Sequence, residues 1–164
     1  MKPSPMLLSE YPDHIKTVNS QEYIYIQTKL DGWRAIIHTP SGAIYSRTGN
    51  RLNLPYITGD VLSCHGLPEW LDGELYVHGR TLGQIQSSIK RGTDEIQFHC
   101  FDIIAGGTFS ERFKNIKETD FIKPVHALKI KPVDIMNIYN EYLLAGYEGA
   151  VIRFNAEYKQ TRST

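Results

Sequence analysis

The chain has 164 residues, of which 41% are hydrophobic and 22% are charged, and its 18 basic and 18 acidic side chains give a formal net charge of zero. This length fits one domain with its own core, and the composition excludes a wholly disordered chain. The sequence contains neither an apolar run of ~18 residues nor a secretory signal, and its zero net charge excludes strong electrostatic steering, so any nucleic-acid surface must be local.

Short β-rich segments dominate the chain. Strands are predicted at residues 22–28, 34–38, 43–46, 70–77, 97–104 and 150–154, and the turn at residues 39–42 joins the second and third of them as a hairpin. Helices are predicted at residues 81–91, ended by Gly92, and at residues 134–145, with Asp134 as N-cap and Gly146 just past the end. Because strands outnumber helices and do not alternate regularly with them, the pattern favours an α+β fold with mostly antiparallel sheets.

A lysine motif follows the first predicted strand, in the segment Thr28-Lys29-Leu30-Asp31-Gly32-Trp33-Arg34. Lys29 is a candidate nucleophile, because a tight turn after a rigid strand would hold its amine in place. An amine attacks only in its neutral form, so such a site needs neighbouring cations or desolvation. The alternative is a polar loop in which Asp31 and Gly32 form the turn and Lys29 is solvated, and the motif alone leaves both interpretations open.

Three later strand segments carry acids among apolar residues: Leu71-Asp72-Gly73-Glu74-Leu75, the stretch from His99 to Ile104 that contains Asp102, and Glu148-Gly149-Ala150-Val151-Ile152-Arg153. A buried carboxylate needs a partner, and the alternative for each is an edge position that faces water. Together with Lys29, these segments predict a cleft that suits a nucleotide. Carboxylates would bind ribose hydroxyls and a metal, an aromatic ring the base, and cations the phosphates.

The ordered motifs KLDGWR, SRTG, LDGEL, FDII and EGAVIR resemble the covalent nucleotidyltransferase superfamily, and specifically the phage-type ATP-dependent DNA ligases. The resemblance runs from Gln27 to the last residue, and residues 5–8 resemble the opening of small phage-type ligases. It implies one adenylylation domain over residues 1–164, with mostly antiparallel sheets flanked by helices in the ATP-grasp-like DNA ligase fold. The alternatives are an RNA ligase, a GTP-dependent capping-type enzyme, and a non-catalytic module that binds nucleotides or DNA ends.

The resemblance implies a role for each matching residue. Lys29 would attack the α-phosphorus of ATP, Glu74 would bind the ribose, Phe101 would stack on adenine, and Glu148 would support the catalytic Mg²⁺. The implied nucleotide-binding residues are Gln27, Thr28, Lys29, Leu30, Arg34, Arg47, Glu74, Phe101, Glu148, Val151 and Ile152, of which Gln27 and Thr28 would meet the adenine edge and Val151 and Ile152 would form the floor of the base pocket. The implied nucleic-acid contacts are Arg34, Arg47, Lys159 and Arg162.

The expected partners are therefore ATP, Mg²⁺ and nicked double-stranded DNA, bound by a monomer that serves DNA replication, repair or recombination. Cys64 and Cys100 offer no disulfide framework, so the expected compartment is the cytoplasm of a bacterial or phage-infected cell. The fifth motif of these ligases, a strand with two lysines, does not follow Arg162, nor does their OB-fold domain. We expect a fragment cut before the last strand to be inactive or weakly active alone.

Overall fold

The computed structural model describes residues 2–160 and contains nine strands, five α-helices and one 3₁₀ turn within them. In chain order these are α1 (Tyr11–Asn19), β1 (Ile24–Lys29), β2 (Trp33–His38), β3 (Ala43–Ser46), β4 (Arg51–Leu52), α2 (Pro55–Ser63), β5 (Trp70–Tyr76), α3 (Leu82–Arg91), β6 (Gln97–Ile103), α4 (Phe109–Phe113), β7 (Ile122–Pro124), β8 (Leu128–Ile130), the 3₁₀ turn (Pro132–Asp134), α5 (Ile135–Leu144) and β9 (Gly149–Arg153).

The strands form two sheets. One has six strands in the order β4-β3-β2-β5-β6-β7, and the other has three strands in the order β8-β1-β9. All of these pairs are antiparallel except β6 with β7. This arrangement confirms the α+β fold with antiparallel-dominated sheets that the sequence predicts.

Helices cover each sheet and bury its apolar residues. Against the larger sheet, Ile57 and Val61 of α2 and Ile85 and Ile89 of α3 join the main core. Against the smaller sheet, Val18 of α1 and Ile135 of α5 pack with Ile24 of β1. Burial of each of these side chains contributes roughly 1.5–3 kcal/mol to the stability of the fold. Because the helices cover one face of each sheet, the opposite faces remain available for a site between the sheets.

The two predicted helices are present. Helix α3 begins at a capping box formed by Thr81 and Gln84 and ends at Gly92, whose φ of 71° suits glycine. Asp134 occupies the N-cap position of α5, as predicted, but its backbone is already helical within the 3₁₀ turn and its side chain makes no capping hydrogen bond. Gly146 follows the helix with a φ of 86°, as expected. Within residues 2–160, no helix is long and apolar enough to cross a membrane.

Candidate active site

A cavity of about 340 Å³ lies where the two sheets face each other, and both sheets contribute side chains to it. All of the residues implied for the nucleotide line this cavity except Ile152. Val151 faces the cavity, whereas Ile152 lies on the other side of β9 and packs with the core of the smaller sheet. Because neighbouring residues of a strand point to opposite faces, this position does not fit a role for Ile152 in the base pocket.

Lys29 lies at the end of β1 and forms an ion pair with Glu148. The backbone places the two together, because β1 and β9 are antiparallel neighbours and the Glu148 N–H donates to the Lys29 carbonyl over 3.1 Å. Both side chains remain substantially exposed, at 38% and 43%. The Lys29 amine is therefore held in place and remains accessible from the cavity.

Gly32 of the lysine motif packs directly against β5. A Cβ atom at this position would lie 2.5 Å from the Leu75 carbonyl oxygen and 2.6 Å from Cγ of Glu74. Backbone cannot yield to such a contact, so the turn after Lys29 requires glycine. The KLDGWR motif thus brings the lysine and Glu74 to the same cavity through close packing.

Glu74 lies in β5, opposite Arg34 in the strand register. Among residues 2–160 its carboxylate has no hydrogen bond and no ion pair. Burial raises the pKa of Glu74 to about 7; Arg34 and Lys29 act against this shift, while Asp72 and Glu148 add to it. A half-buried carboxyl group without a protein partner is suited to a hydroxyl group of a ligand.

Arg34 is held by Asp72 in a two-pronged ion pair, with Nε–Oδ1 and Nη2–Oδ2 distances of 2.8 Å each. Asp72 is fully buried, so the expectation that an acid within these strands needs a partner is confirmed here. The guanidinium of Arg34 also lies 4.5 Å from the centre of the Phe101 ring. Asp72 therefore fixes a cation that stacks against the aromatic side chain implied for the base.

A second buried network lies behind Phe101. Asp102 accepts hydrogen bonds from Arg112 over 2.9 and 3.0 Å and from Arg153 over 3.3 Å. Arg153 donates to Oε1 of Gln27 over 2.6 Å, and Nε2 of Gln27 donates to the carbonyl groups of Phe101 and Val125. These partners fix the orientation of the Gln27 amide and leave the second lone pair of Oε1 as its remaining acceptor.

The residues implied for nucleic acid are distributed differently. Arg34 and Arg47 line the cavity, and Arg47 is exposed. Lys159 is exposed but lies outside the cavity lining. Arg162 lies outside the described residues, so its position is not part of this structure.

This cavity fits a magnesium site in which few of the metal's ligands come from protein side chains. Residues 2–160 hold no group of three or more His, Cys, Asp or Glu side chains that could bind a metal ion. Mg²⁺, however, is commonly bound by one or two carboxylates together with substrate phosphates and water. The exposed Glu148 carboxylate at the cavity meets that requirement, so it fits a metal that arrives with a nucleotide.

Sequence reasoning missed Arg112 and Arg153 as site residues. Arg153 lies in the EGAVIR motif, two residues after Val151. Residues two apart on a strand share a face, so the position of Val151 could have indicated that Arg153 also faces the cavity. Arg112 lies in the short helix α4, and no motif marks it. Both arginines donate hydrogen bonds to Asp102.

Comparison with known proteins agrees with this geometry. The family described as ATP dependent DNA ligase domain matches residues 5–163 of the chain. The DNA ligase of African swine fever virus (strain Badajoz 1971 Vero-adapted) is 29% identical over 171 aligned positions, which cover 91% of this chain and 41% of that protein. The chain thus spans about two fifths of the length of this relative.

Two solved structures show the same fold. The chain superposes on Chlorella virus DNA ligase-adenylate with a TM-score of 0.78 at 23% identity, over 99% of this chain and 63% of that one. It superposes on the ATP-dependent DNA ligase of bacteriophage T7, in complex with ATP, with a TM-score of 0.68 at 14% identity, over 98% and 66%. Since the family match covers nearly the whole sequence, this chain belongs to the family of ATP-dependent DNA ligase domains.

Proposed function

We propose that residues 1–164 form the adenylylation domain of an ATP-dependent DNA ligase and that Lys29 is the residue that accepts AMP. The observation that carries the proposal is the position of Lys29. Its accessible amine lines the same cavity as an unpartnered carboxyl group, Glu74, and a cation stacked on an aromatic ring, Arg34 on Phe101. These are the groups that a nucleoside triphosphate requires around its phosphate, ribose and base.

The first chemical step is attack by Nζ of Lys29 on the α-phosphorus of ATP. A bond forms between Nζ and the α-phosphorus. The bond between the α-phosphorus and the oxygen that bridges it to the β-phosphorus breaks, and pyrophosphate leaves. The amine must lose a proton before it attacks. Because Glu148 accepts a hydrogen bond from Nζ of Lys29, its carboxylate is positioned to take up this proton.

The cavity residues divide the binding of ATP among them. Phe101 stacks on the adenine, and the Gln27 amide, fixed by Arg153, meets the edge of the base. Glu74 accepts a hydrogen bond from a ribose hydroxyl. Arg47, exposed at the cavity, provides a cation for the phosphates.

Glu148 would hold Mg²⁺ together with the phosphates of a bound nucleotide. When bound, the metal neutralises phosphate charge during displacement. Because Glu148 lies beside Lys29, a metal held there would be close to the reacting amine.

In the later steps AMP passes from Lys29 to the 5′-phosphate at a nick, and the 3′-hydroxyl displaces it to seal the strand. Arg34, Arg47, Lys159 and Arg162 would contact the nicked DNA. We place the fifth motif, with its two lysines, and the OB-fold domain outside residues 1–164. We propose that the enzyme acts as a monomer.

A nick-sealing assay tests this function in a full-length chain that carries the fifth motif and the OB-fold domain. The substrate is a labelled duplex with one nick, incubated with ATP and Mg²⁺ and separated on a denaturing gel. We expect sealing that requires the 5′-phosphate, with the dephosphorylated duplex as control. Sealing of nicked RNA alone would instead identify an RNA ligase, and sealing of neither substrate would contradict the proposal.

A further inference from the structure

The hydroxyl group of Tyr158 joins two distant parts of the chain. It donates to Oδ2 of Asp72 over 2.6 Å and accepts from the backbone N–H of Met6 over 2.7 Å. Arg34 completes the ring, because its Nη2 donates both to Oδ2 of Asp72 over 2.8 Å and to the Met6 carbonyl over 3.0 Å. The peptide groups on either side of Met6 are therefore held by two side chains that share one carboxylate.

The hydrogen bonds that join Tyr158 and Arg34 to Asp72 are expected to be strong. Asp72 is fully buried and charged, and hydrogen bonds to a buried charged acceptor are stronger than those between neutral groups. Burial, together with Asp72, raises the pKa of Tyr158, so its hydroxyl remains a donor over the working pH range. Loss of the hydroxyl would deprive both Asp72 and the Met6 N–H of a partner.

The N-terminal segment that this ring holds is a wall of the nucleotide cavity. Leu7 and Leu8, directly after Met6, line the cavity beside the residues that face the nucleotide. A further bond supports the segment, from the Ser4 N–H to Oε1 of Gln160 over 3.2 Å. Residues 158–160 therefore contact this segment at two points.

The segment that carries Tyr158 is itself anchored to α4. The Ser110 N–H donates to Oδ1 of Asn155 over 2.8 Å, and Arg112 donates to the Ala156 carbonyl over 3.0 Å. The Arg112 guanidinium also lies 5.7 Å from the centre of the Tyr158 ring. These contacts with α4 fix the position of the segment from which the Tyr158 hydroxyl reaches Asp72 and Met6.

We propose that Tyr158 is a positioning residue for nucleotide binding, which acts through Asp72, Arg34 and the Met6 peptide to hold the cavity wall formed by Leu7 and Leu8. The inference rests on the proposed function, since it requires that this cavity binds ATP. Tyr158 does not touch the nucleotide. It fixes the position of the cavity wall and of the Arg34 side chain that stacks on Phe101.

The variant Tyr158→Phe tests this role, because it keeps the aromatic ring and removes only the hydroxyl. Tyr23→Phe is the matched control, since the Tyr23 hydroxyl has no hydrogen bond among residues 2–160. For each form of the full-length chain, calorimetry measures the dissociation constant for ATP and hydrogen exchange measures the protection of the N-terminal segment. Thermal unfolding reports overall stability.

We expect Tyr158→Phe to weaken ATP binding about 10-fold, the cost of losing one charge-assisted hydrogen bond. Exchange should accelerate in the segment 4–8 and remain unchanged in α3, while Tyr23→Phe matches the parent chain. If the parent chain binds ATP and Tyr158→Phe binds it equally well, the inference is wrong and the proposed function stands. Faster exchange throughout the molecule, or weaker binding without faster exchange in the segment, would also overturn the inference. Failure of the parent chain to bind ATP would overturn the proposed function itself.

Discussion

Lys29 and Glu148 are separated by 119 positions in sequence, yet their backbones share a hydrogen bond and their side chains form an ion pair. The antiparallel pairing of β1 with β9 produces this contact and sets Lys29 opposite Gly149 in register. Lys29 at the end of β1 and Glu148 directly before β9 are thus held together by the pairing of these two strands. The catalytic proposal depends on this relationship.

Phe101→Ala should weaken nucleotide binding by about 1–3 kcal/mol, the range for loss of a base–aromatic stack. In the structure Phe101 lines the cavity with Arg34 against its ring, so the substitution also removes the aromatic face on which that cation stacks. Calorimetry with ATP measures the loss. Phe113→Ala is the control, because Phe113 packs against Phe109 and does not line the cavity.

The same cavity should prefer ATP to GTP, since Gln27 and the backbone of β1 meet the edge of the base. Covalent labelling of the full-length chain with each radioactive nucleotide measures the preference directly. Labelling by GTP as efficient as that by ATP would favour a capping-type enzyme instead. Unchanged ATP binding in Phe101→Ala would show that the base lies elsewhere.

Glu74→Ala and Glu148→Ala should produce different defects. Above pH 7, where the Glu74 carboxyl group is ionised, Glu74→Ala loses a hydrogen bond from a ribose hydroxyl to a charged acceptor, which costs about 1.5–3 kcal/mol of nucleotide binding. Glu148→Ala should bind nucleotide nearly as well as the parent but form the lysine adduct slowly, because the metal and the lysine lose their shared partner. Binding and adduct formation over a series of Mg²⁺ concentrations separate the two, and identical profiles would mean that the cleft is misassigned.

Glu74 should also make the stability of the ligand-free chain depend on pH. Burial raises the pKa of Glu74 from 4.5 to about 7 in the folded chain. Between pH 4.5 and about 7 the folded state retains a proton on Glu74 that the unfolded state releases. The contribution of protonated Glu74 to the free energy of unfolding is therefore fully present below pH 4.5 and is lost as the pH rises towards 7.

Glu74→Gln, which keeps the shape and cannot ionise, should remove this dependence. Thermal unfolding at about pH 4 and about pH 8 should show the variant similar to the parent at the lower pH and more stable than the parent at the higher pH. Parallel curves for the two proteins at all pH values would show that the Glu74 carboxyl group is ordinarily solvated.

Residues 1–164 alone should seal no nicks and should form lysyl-AMP very slowly or not at all. The sequence contains no fifth-motif strand with its paired lysines, and removal of even one preorganised charge-stabilising group commonly costs ~100- to 1000-fold in rate. A chain of zero net charge also has little to hold a duplex, whose affinity rests on phosphate contacts. Weak ATP binding should persist through Gln27, Glu74 and Phe101. A gel assay on the purified chain would contradict this by showing robust sealing.

The sequence predicted the strands that carry the site because each combines a β-rich run with a motif. Lys29, Glu74, Phe101 and Val151 lie at the cavity as the resemblance implied. The three-residue strands β7 and β8 have no periodicity that a sequence pattern could detect, and their pairing depends on neighbours distant in sequence.

The misses within the site have a similar cause. Arg112 contacts Asp102, a partner that only the fold brings near, and nothing in its local sequence marks it. The contact of Tyr158 with Asp72 likewise depends on the fold. Ile152 belongs to the right motif but faces away from the cavity, since one residue along a strand reverses the direction of the side chain. A motif therefore identified the strand, and the register determined which residues face the cavity.

The most direct measurement is the location of covalent AMP in a full-length chain incubated with labelled ATP and Mg²⁺. Mass analysis of its peptides should place the adduct on Lys29. Lys29→Ala and Lys29→Arg should both lack it, because arginine stays protonated and offers no neutral amine. An adduct of undiminished yield in Lys29→Ala would contradict the assignment of Lys29 as the nucleophile.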